Sequence, residues 1–191
     1  MPKVSQEHLD ARRGQILEGA RSAFSRWGYD GATVARLEEE IGLSRGAIFH
    51  YFPSKQDLFV ELAADVNRHY VALLTGGGLD AAIREMAAES PDWLGVLIET
   101  HARMRHDPDF HRRAATPPEE RDLLVEWFEA RQEDGTLRGD VSALELGRFA
   151  TIVLNGLALR VLGDDETDVE ALLRLLHDAL GPRESHYHRP S

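Results

Sequence analysis

Apolar residues recur along this chain at intervals of three and four, the spacing of one face of a helix. Ile16, Leu17, Ala20, Ala23, Phe24 and Trp27 share the face of a first helix, which Gly28 is expected to stop. Val34, Leu37 and Ile41 mark a second, with Thr33 as its N-cap and Gly42 at its end. Ser44 caps a short third helix running to Pro53. Ser54 with Asp57 has the spacing of a capping box, and the fourth helix it opens carries Leu58, Leu62, Val66 and Tyr70 before Gly76-Gly77-Gly78. A fifth helix is expected over roughly 79–89, stopped before Pro91, and a sixth from Trp93 to His106, broken by Asp107-Pro108. Pro117-Pro118 begin a seventh, and Asp134-Gly135 end it. Ser142 with Glu145, and Thr167 with Glu170, form two more capping boxes. They open an eighth helix reaching Leu162 and a ninth ending at Gly181-Pro182. No stretch alternates with period two beside hairpin turns, so the pattern predicts nine helices and no sheet, an all-α chain.

Composition narrows the function classes. Of the 191 residues 42% are apolar, enough for a packed core, yet no apolar run approaches the length of a bilayer span. The first residues carry no apolar signal region, and there is no cysteine, which excludes disulfides and thiolate chemistry; a cytoplasmic protein is expected. The net charge of -11 argues against a protein that coats nucleic acid. It is unevenly spread, however: residues 1–60 hold eight Lys/Arg and eight Asp/Glu, so the remainder carries the whole excess. Only the neutral N-terminal segment is suited to approach a phosphate backbone.

That segment holds the sharpest motif. The helix from Thr33 to Ile41, the turn Gly42-Leu43-Ser44 and a second short helix have the spacing of a helix-turn-helix. The second helix presents Arg45, Gly46, Ala47, Phe49, His50 and Tyr51. Arg45 stands at the helix start, where an arginine can pair bidentately with guanine. Gly46 and Ala47 lack bulk and permit close approach; His50 and Tyr51 can donate to phosphates. Thr33 and Lys55 open the flanking helices, where a phosphate is favoured. Spacing alone also fits an ordinary helix pair with a solvated arginine and packed aromatics.

The run from Gly28 through Val34, followed by that from Ile41 through Leu58, closely resembles the N-terminal domain of the TetR family of transcriptional repressors. The match covers residues 12–62 without gaps. The resemblance implies that Thr33 binds phosphate, that Arg45, Gly46 and Ala47 face the major groove, and that Phe49, His50, Tyr51 and Lys55 contact bases or backbone. Phe49 departs from a common tyrosine and lacks its hydroxyl. Met1–Ser5, Arg12-Arg13, Gln15–Arg21 and Ser44–His50 are also similar to actinobacterial members that repress aconitase, a group associated with sensing citrate and a divalent cation. The glycine run at 76–78 after a long connecting helix puts the domain boundary within the fourth helix or at its start; taken at the start, it gives a helix-turn-helix domain over 1–54, a helical effector-binding and dimerisation domain over 55–182, and a flexible tail over 183–191.

In the C-terminal part, Glu99 and Arg103 interrupt the apolar sixth helix, and Asn155 and Arg160 the eighth. Buried charges need partners, so these four are candidates for an effector pocket. They equally fit a surface Glu99–Arg103 pair and a solvated Arg160. The last two helices are apolar nearly all round, and Phe149, Ile152, Leu172 and Leu176 are candidates for a dimer interface. His101, His106, His111 and Asp107 do not share a helix face, so no protein-only metal site is expected. No nucleophile–base pairing or phosphate loop occurs, so neither catalysis nor a cofactor is expected. The reading is a dimeric repressor of palindromic operator DNA, released by a small-molecule effector such as citrate with a divalent cation. The rival is a helical small-molecule-binding protein whose helix-turn-helix is vestigial.

Overall fold

The computed structural model describes residues 6–88, 91–163 and 166–182. Among these lie nine helices and no strand: α1 (Gln6–Gly31), α2 (Val34–Ile41), α3 (Arg45–Tyr51), α4 (Lys55–Ala88), α5 (Pro91–Met104), α6 (Pro108–Ala114), α7 (Pro118–Glu133), α8 (Ala143–Leu162) and α9 (Val169–Leu180). The all-α class is as expected, but the nine do not correspond one to one. The expected fourth and fifth helices both lie within α4 and are separated at Gly78, whose backbone leaves the helical conformation (φ 78°, ψ -179°) at the end of the glycine run. The addition is α6, where the sequence pattern gives only a break. Asp107 accepts from the Phe110 amide and Pro108 takes the first helical position, so the pair that ends α5 also starts the next helix. Likewise the first helix is interrupted at Gly28 (φ 65°, ψ 174°), as expected, and a short further turn follows within α1. The cap of α9 is Asp168, which accepts from the Ala171 amide, rather than Thr167. No helix among the described residues is long and apolar enough to cross a membrane.

The chain divides into two compact units, Met1–Tyr70 with Glu89–Thr116, and Val71–Ala88 with Pro117–Ser191. Residue 54, the expected boundary, falls inside the first unit, and α5 and α6 group with the helix-turn-helix. The expected tail, 183–191, lies outside the described residues.

In the first unit α1 packs mainly along α5 and α2. Two glycines permit this. A side chain at Gly95 would collide with Ser25, and one at Gly19 would come within 2.8 Å of the Ile41 backbone. The core gathers Ile16, Phe24, Leu37, Ile48, Phe59 and Phe110, all essentially sealed from solvent. Each such side chain contributes about 1.5–3 kcal/mol by leaving water. Phe24, Tyr29 and Phe59 form a ring cluster with centroids 4.8–5.8 Å apart, which Phe110 joins at 5.5 Å from Phe59.

The second unit is built on α7 against α8, where Phe128, Leu146, Ala150 and Leu157 are buried; Leu173, Leu176 and Leu180 of α9 are buried as well. Arg138 fastens the end of α9 to the loop after α7, its amide bonding the Leu180 carbonyl (2.8 Å) and its guanidinium that of Ala179 (3.0 Å).

Candidate functional site

The helix-turn-helix is fixed by capping at each end. Thr33 accepts from the Arg36 amide and Ser44 from that of Ala47, both at 3.4 Å. Between them Gly42 takes the left-handed conformation (φ 73°), returning its amide to the Glu38 carbonyl. Leu37, Ile41 and Ile48 point into the core, which sets the face that α3 turns outward. Glu38 reaches across the turn, accepting at 2.6 Å from the Arg45 amide. A carboxylate on the first free amide of α3 ties the two helices together and satisfies a donor the helix cannot.

The outward side of α3 carries what the sequence led one to expect. Arg45, Gly46 and His50 are exposed, and Ala47, Phe49 and Tyr51 half-buried. Arg45 lies 6.0 Å from the Phe49 ring, and the His50 and Tyr51 rings meet edge to face. A Cβ at Gly46 would meet no protein atom, so the absence of a side chain there serves nothing within the chain itself. Lys55 is differently engaged. Its ammonium donates to the carbonyls of Tyr29 (2.8 Å) and Ala32 (3.3 Å) and sits 4.4 Å from the Tyr29 ring. Burial holds its pKa below the ordinary lysine value; Asp30 opposes the shift and Arg103 adds to it. Burial also raises the Tyr29 hydroxyl, against the opposing pull of Arg103.

The pattern that defines the bacterial regulatory proteins of the tetR family matches residues 16–62, which span this motif. An HTH-type transcriptional repressor of Mycobacterium tuberculosis, Rv1474c, is 40% identical over 94% of this chain and 98% of its own length. The repressor AcnR of Corynebacterium diphtheriae is 38% identical over 94% of this chain and 97% of its own. The chain belongs to the TetR family. Like these relatives, it is a DNA-binding transcriptional repressor. Among solved structures, GusR of Salmonella enterica superposes with a TM-score of 0.73 over 93% of this chain and 98% of its own, at 18% identity, a likeness of fold alone.

The effector residues expected in this TetR-family repressor divide between its units. Glu99 and Arg103 belong to the first, Asn155 and Arg160 to the second. Arg103 lies 3.6 Å over the Tyr29 ring and reaches Asp107 at 3.4 Å, while Glu99 approaches Gly28. Both line a cleft of about 460 Å³ with Asp30, His106 and Asp107. Asn155 is half-buried on α8, and Arg160 is exposed, donating to the Thr167 hydroxyl (3.2 Å). Among the described residues no three His, Asp or Glu groups come close enough to hold a metal ion.

The sequence reading passed over a cavity of about 550 Å³ in the second unit, lined by Gly76–Gly78, Trp127, Leu137, Leu180, Arg131 and His177 among others. Arg131 lies 3.8 Å over the Trp127 ring, Trp127 donates to the Thr75 carbonyl (3.1 Å), and His177 bonds Asp80 (2.7 Å). The glycine run and the Trp127–Arg131 pair, one helical turn apart, were its signal in the sequence.

The expected dimer residues also separate. Phe149 and Ile152 are exposed, and Leu159 continues their stripe along α8. On α9, Leu172 is half-buried but Leu176 is only 3% exposed, sealed in its own chain. Leu175, 66% exposed, is the leucine that α9 turns outward. A helix that commits Leu173, Leu176 and Leu180 to one side has Leu172 and Leu175 left for the other.

Proposed function

We propose that this repressor works as a homodimer on a two-fold operator and is released by a small anionic metabolite. The outward face of α3 carries the reading: it presents an exposed Arg45 side chain and Gly46, where a side chain would meet nothing, beside a half-buried Ala47. Arg45 pairs with a guanine in each half-site, Gly46 and Ala47 allow close approach, and Thr33, Phe49, His50 and Tyr51 contact the flanking bases and backbone. Lys55 acts one step behind, holding the Tyr29–Ala32 corner on which α2 begins. The exposed stripe of Phe149, Ile152 and Leu159, with Leu172 and Leu175, is an apolar surface suited to a second copy. Pairing there sets two α3 helices about one DNA turn apart, roughly 34–36 Å.

The effector occupies the second unit's cavity. Arg131 on its indole bed offers a planar fork to a carboxylate, and His177 offers a further donor. A tricarboxylate such as citrate, with a divalent cation bridging its oxygens, matches this chemistry. Glu99 and Arg103 instead support the junction of α1 with α5 and α6, and Asn155 and Arg160 the α8 surface. An effector releases DNA only by the difference in its affinity for the two forms of the dimer. An electrophoretic shift with DNA from upstream of the protein's own gene, titrated with citrate with and without magnesium, tests the reading. Retardation that citrate–magnesium reverses, and that Arg131→Ala makes insensitive to it, is the expected result. Failure to retard that DNA in preference to random duplex would overturn the operator reading.

A further inference from the structure

In a chain with 33 carboxylates and 22 lysines and arginines, two arginines held on one aromatic ring instead of on a carboxylate stand out. Several guanidiniums of the first unit are paired, Arg13 with Glu61, Arg21 with Glu18, Arg68 with Glu61 and Asp65, Arg113 with Asp57, while Arg12, Arg45 and Arg105 show no ion pair among the described residues. Arg26 and Arg36 form no ion pair among the described residues. Both instead lie against the same indole, Trp27, with Cζ atoms 5.0 and 5.2 Å from a ring centroid. Arg36 is further held by a bond from Nη1 to the Gly31 carbonyl (2.7 Å), and its amide is the one Thr33 caps. Trp27 and Arg36 therefore bracket the corner between α1 and α2, and Arg26 lies one residue before Trp27. Both guanidiniums are exposed.

We propose that Arg26 and Arg36, braced on Trp27, form a phosphate grip that seats the first helix of the motif on the DNA backbone. The first helix of a helix-turn-helix crosses the backbone while the second reads bases. Arg36 is in the first turn of α2, so its guanidinium lies where that crossing occurs. A bare lysine patch would spread its charge over many rotamers. The indole and the Gly31 carbonyl hold these two forks in place, so less freedom is lost when a phosphate arrives. Unspent positive charge at this corner also accounts for how an acidic protein approaches a polyanion: the attraction is local, within a screening length, while the excess acidity lies beyond residue 60. The grip positions the motif and carries no sequence preference.

The test uses the full chain and a random-sequence duplex, so it does not depend on knowing the operator. Binding is followed by fluorescence anisotropy across a salt series. Arg26→Ala and Arg36→Ala should each flatten the dependence of log K on log salt by about 0.9 per bound subunit, with the effects adding in the double variant. Arg36→Gln, which keeps a donor for Gly31, should flatten it equally while preserving helix content and the unfolding midpoint. Arg36→Lys should keep the wild-type slope and lose part of the affinity. An unchanged slope in Arg26→Ala and Arg36→Gln, with or without weaker binding, overturns the proposal. Wild-type protein that fails to bind duplex DNA at all would instead refute the DNA-binding reading.

Discussion

Two surfaces of this protein lie unfinished, in different ways. On α3 the outward positions are Arg45, Gly46, Ala47 and His50, small or polar, over a buried Ile48. On α8 and α9 they are Phe149, Ile152, Leu159 and Leu175, over buried Leu154, Leu157, Leu173 and Leu176. Both inner faces obey one rule, apolar groups at helical spacing turned to the core. The outer faces differ because the expected partners do: a hydrated polyanion on one side, a second apolar surface on the other. An exposed helix face thus reports its partner's chemistry, but only after the inner face has been identified.

The sharpest way to break the comparison is to swap inner for outer on α9. Leu176→Ala should cost about 2–5 kcal/mol, because it empties a sealed site, and should lower the thermal midpoint at any protein concentration. Leu175→Glu and Ile152→Glu should leave helix content intact and give a monomer by sedimentation. A stable dimer in both Glu variants would show that this face is not the interface. Arg45→Ala probes the other surface. It should cost about 1–3 kcal/mol on operator DNA and relax selectivity at one base pair per half-site, leaving the melting curve unchanged. Equal weakening on operator and random duplex would reduce Arg45 to a phosphate contact.

Lys55 separates the two surfaces from what supports them. Lys55→Met should lower stability by about 1 kcal/mol through loss of its bonds to Tyr29 and Ala32, discounted for partial exposure, without changing the salt slope of DNA binding. A flatter slope with unaltered stability would make it a phosphate ligand. The smallest effect concerns Asp57. Its carboxylate is held below the ordinary value of 3.8 chiefly by the Ser54 hydroxyl, with Arg113 adding to the shift. A depressed folded pKa means the contribution is present above the unfolded value and is lost as pH falls through the folded one. Asp57→Ala should therefore destabilise at pH 6, with the gap to wild type closing below about pH 3.8 in urea titrations. A pH-independent gap would assign the effect to packing alone.

Much of the fold was legible because its signals are local. Thr33, Ser44, Ser54 and Ser142 cap the helices they were read to cap, and Gly42 closes α2. The misreadings arose where one signal has two meanings. Asp107-Pro108 ends one helix and opens another. On α9, leucines at 172, 173, 175 and 176 form an apolar arc too wide for the local pattern to say which of them face inward; the structure buries Leu173 and Leu176. The acceptors of Lys55 lie 26 and 23 residues away, beyond any local pattern. Glu99 and Arg103, expected in a pocket, line the first unit's cleft, and their neighbours Gly28 and Tyr29 come from α1, beyond a local pattern.

Gly46 carries a consequence for how such a repressor can change allegiance. A helix pays for glycine with backbone freedom, about 0.5–1 kcal/mol relative to alanine, and no neighbouring atom here requires that sacrifice. Selection for thermal robustness alone would therefore favour Gly46→Ala, whereas selection for grip on one particular groove would resist it. The position is open to larger side chains without repacking, because nothing in the chain waits within 4 Å of a Cβ. New operator preferences can be explored there one substitution at a time, from a scaffold that does not have to be rebuilt for each trial.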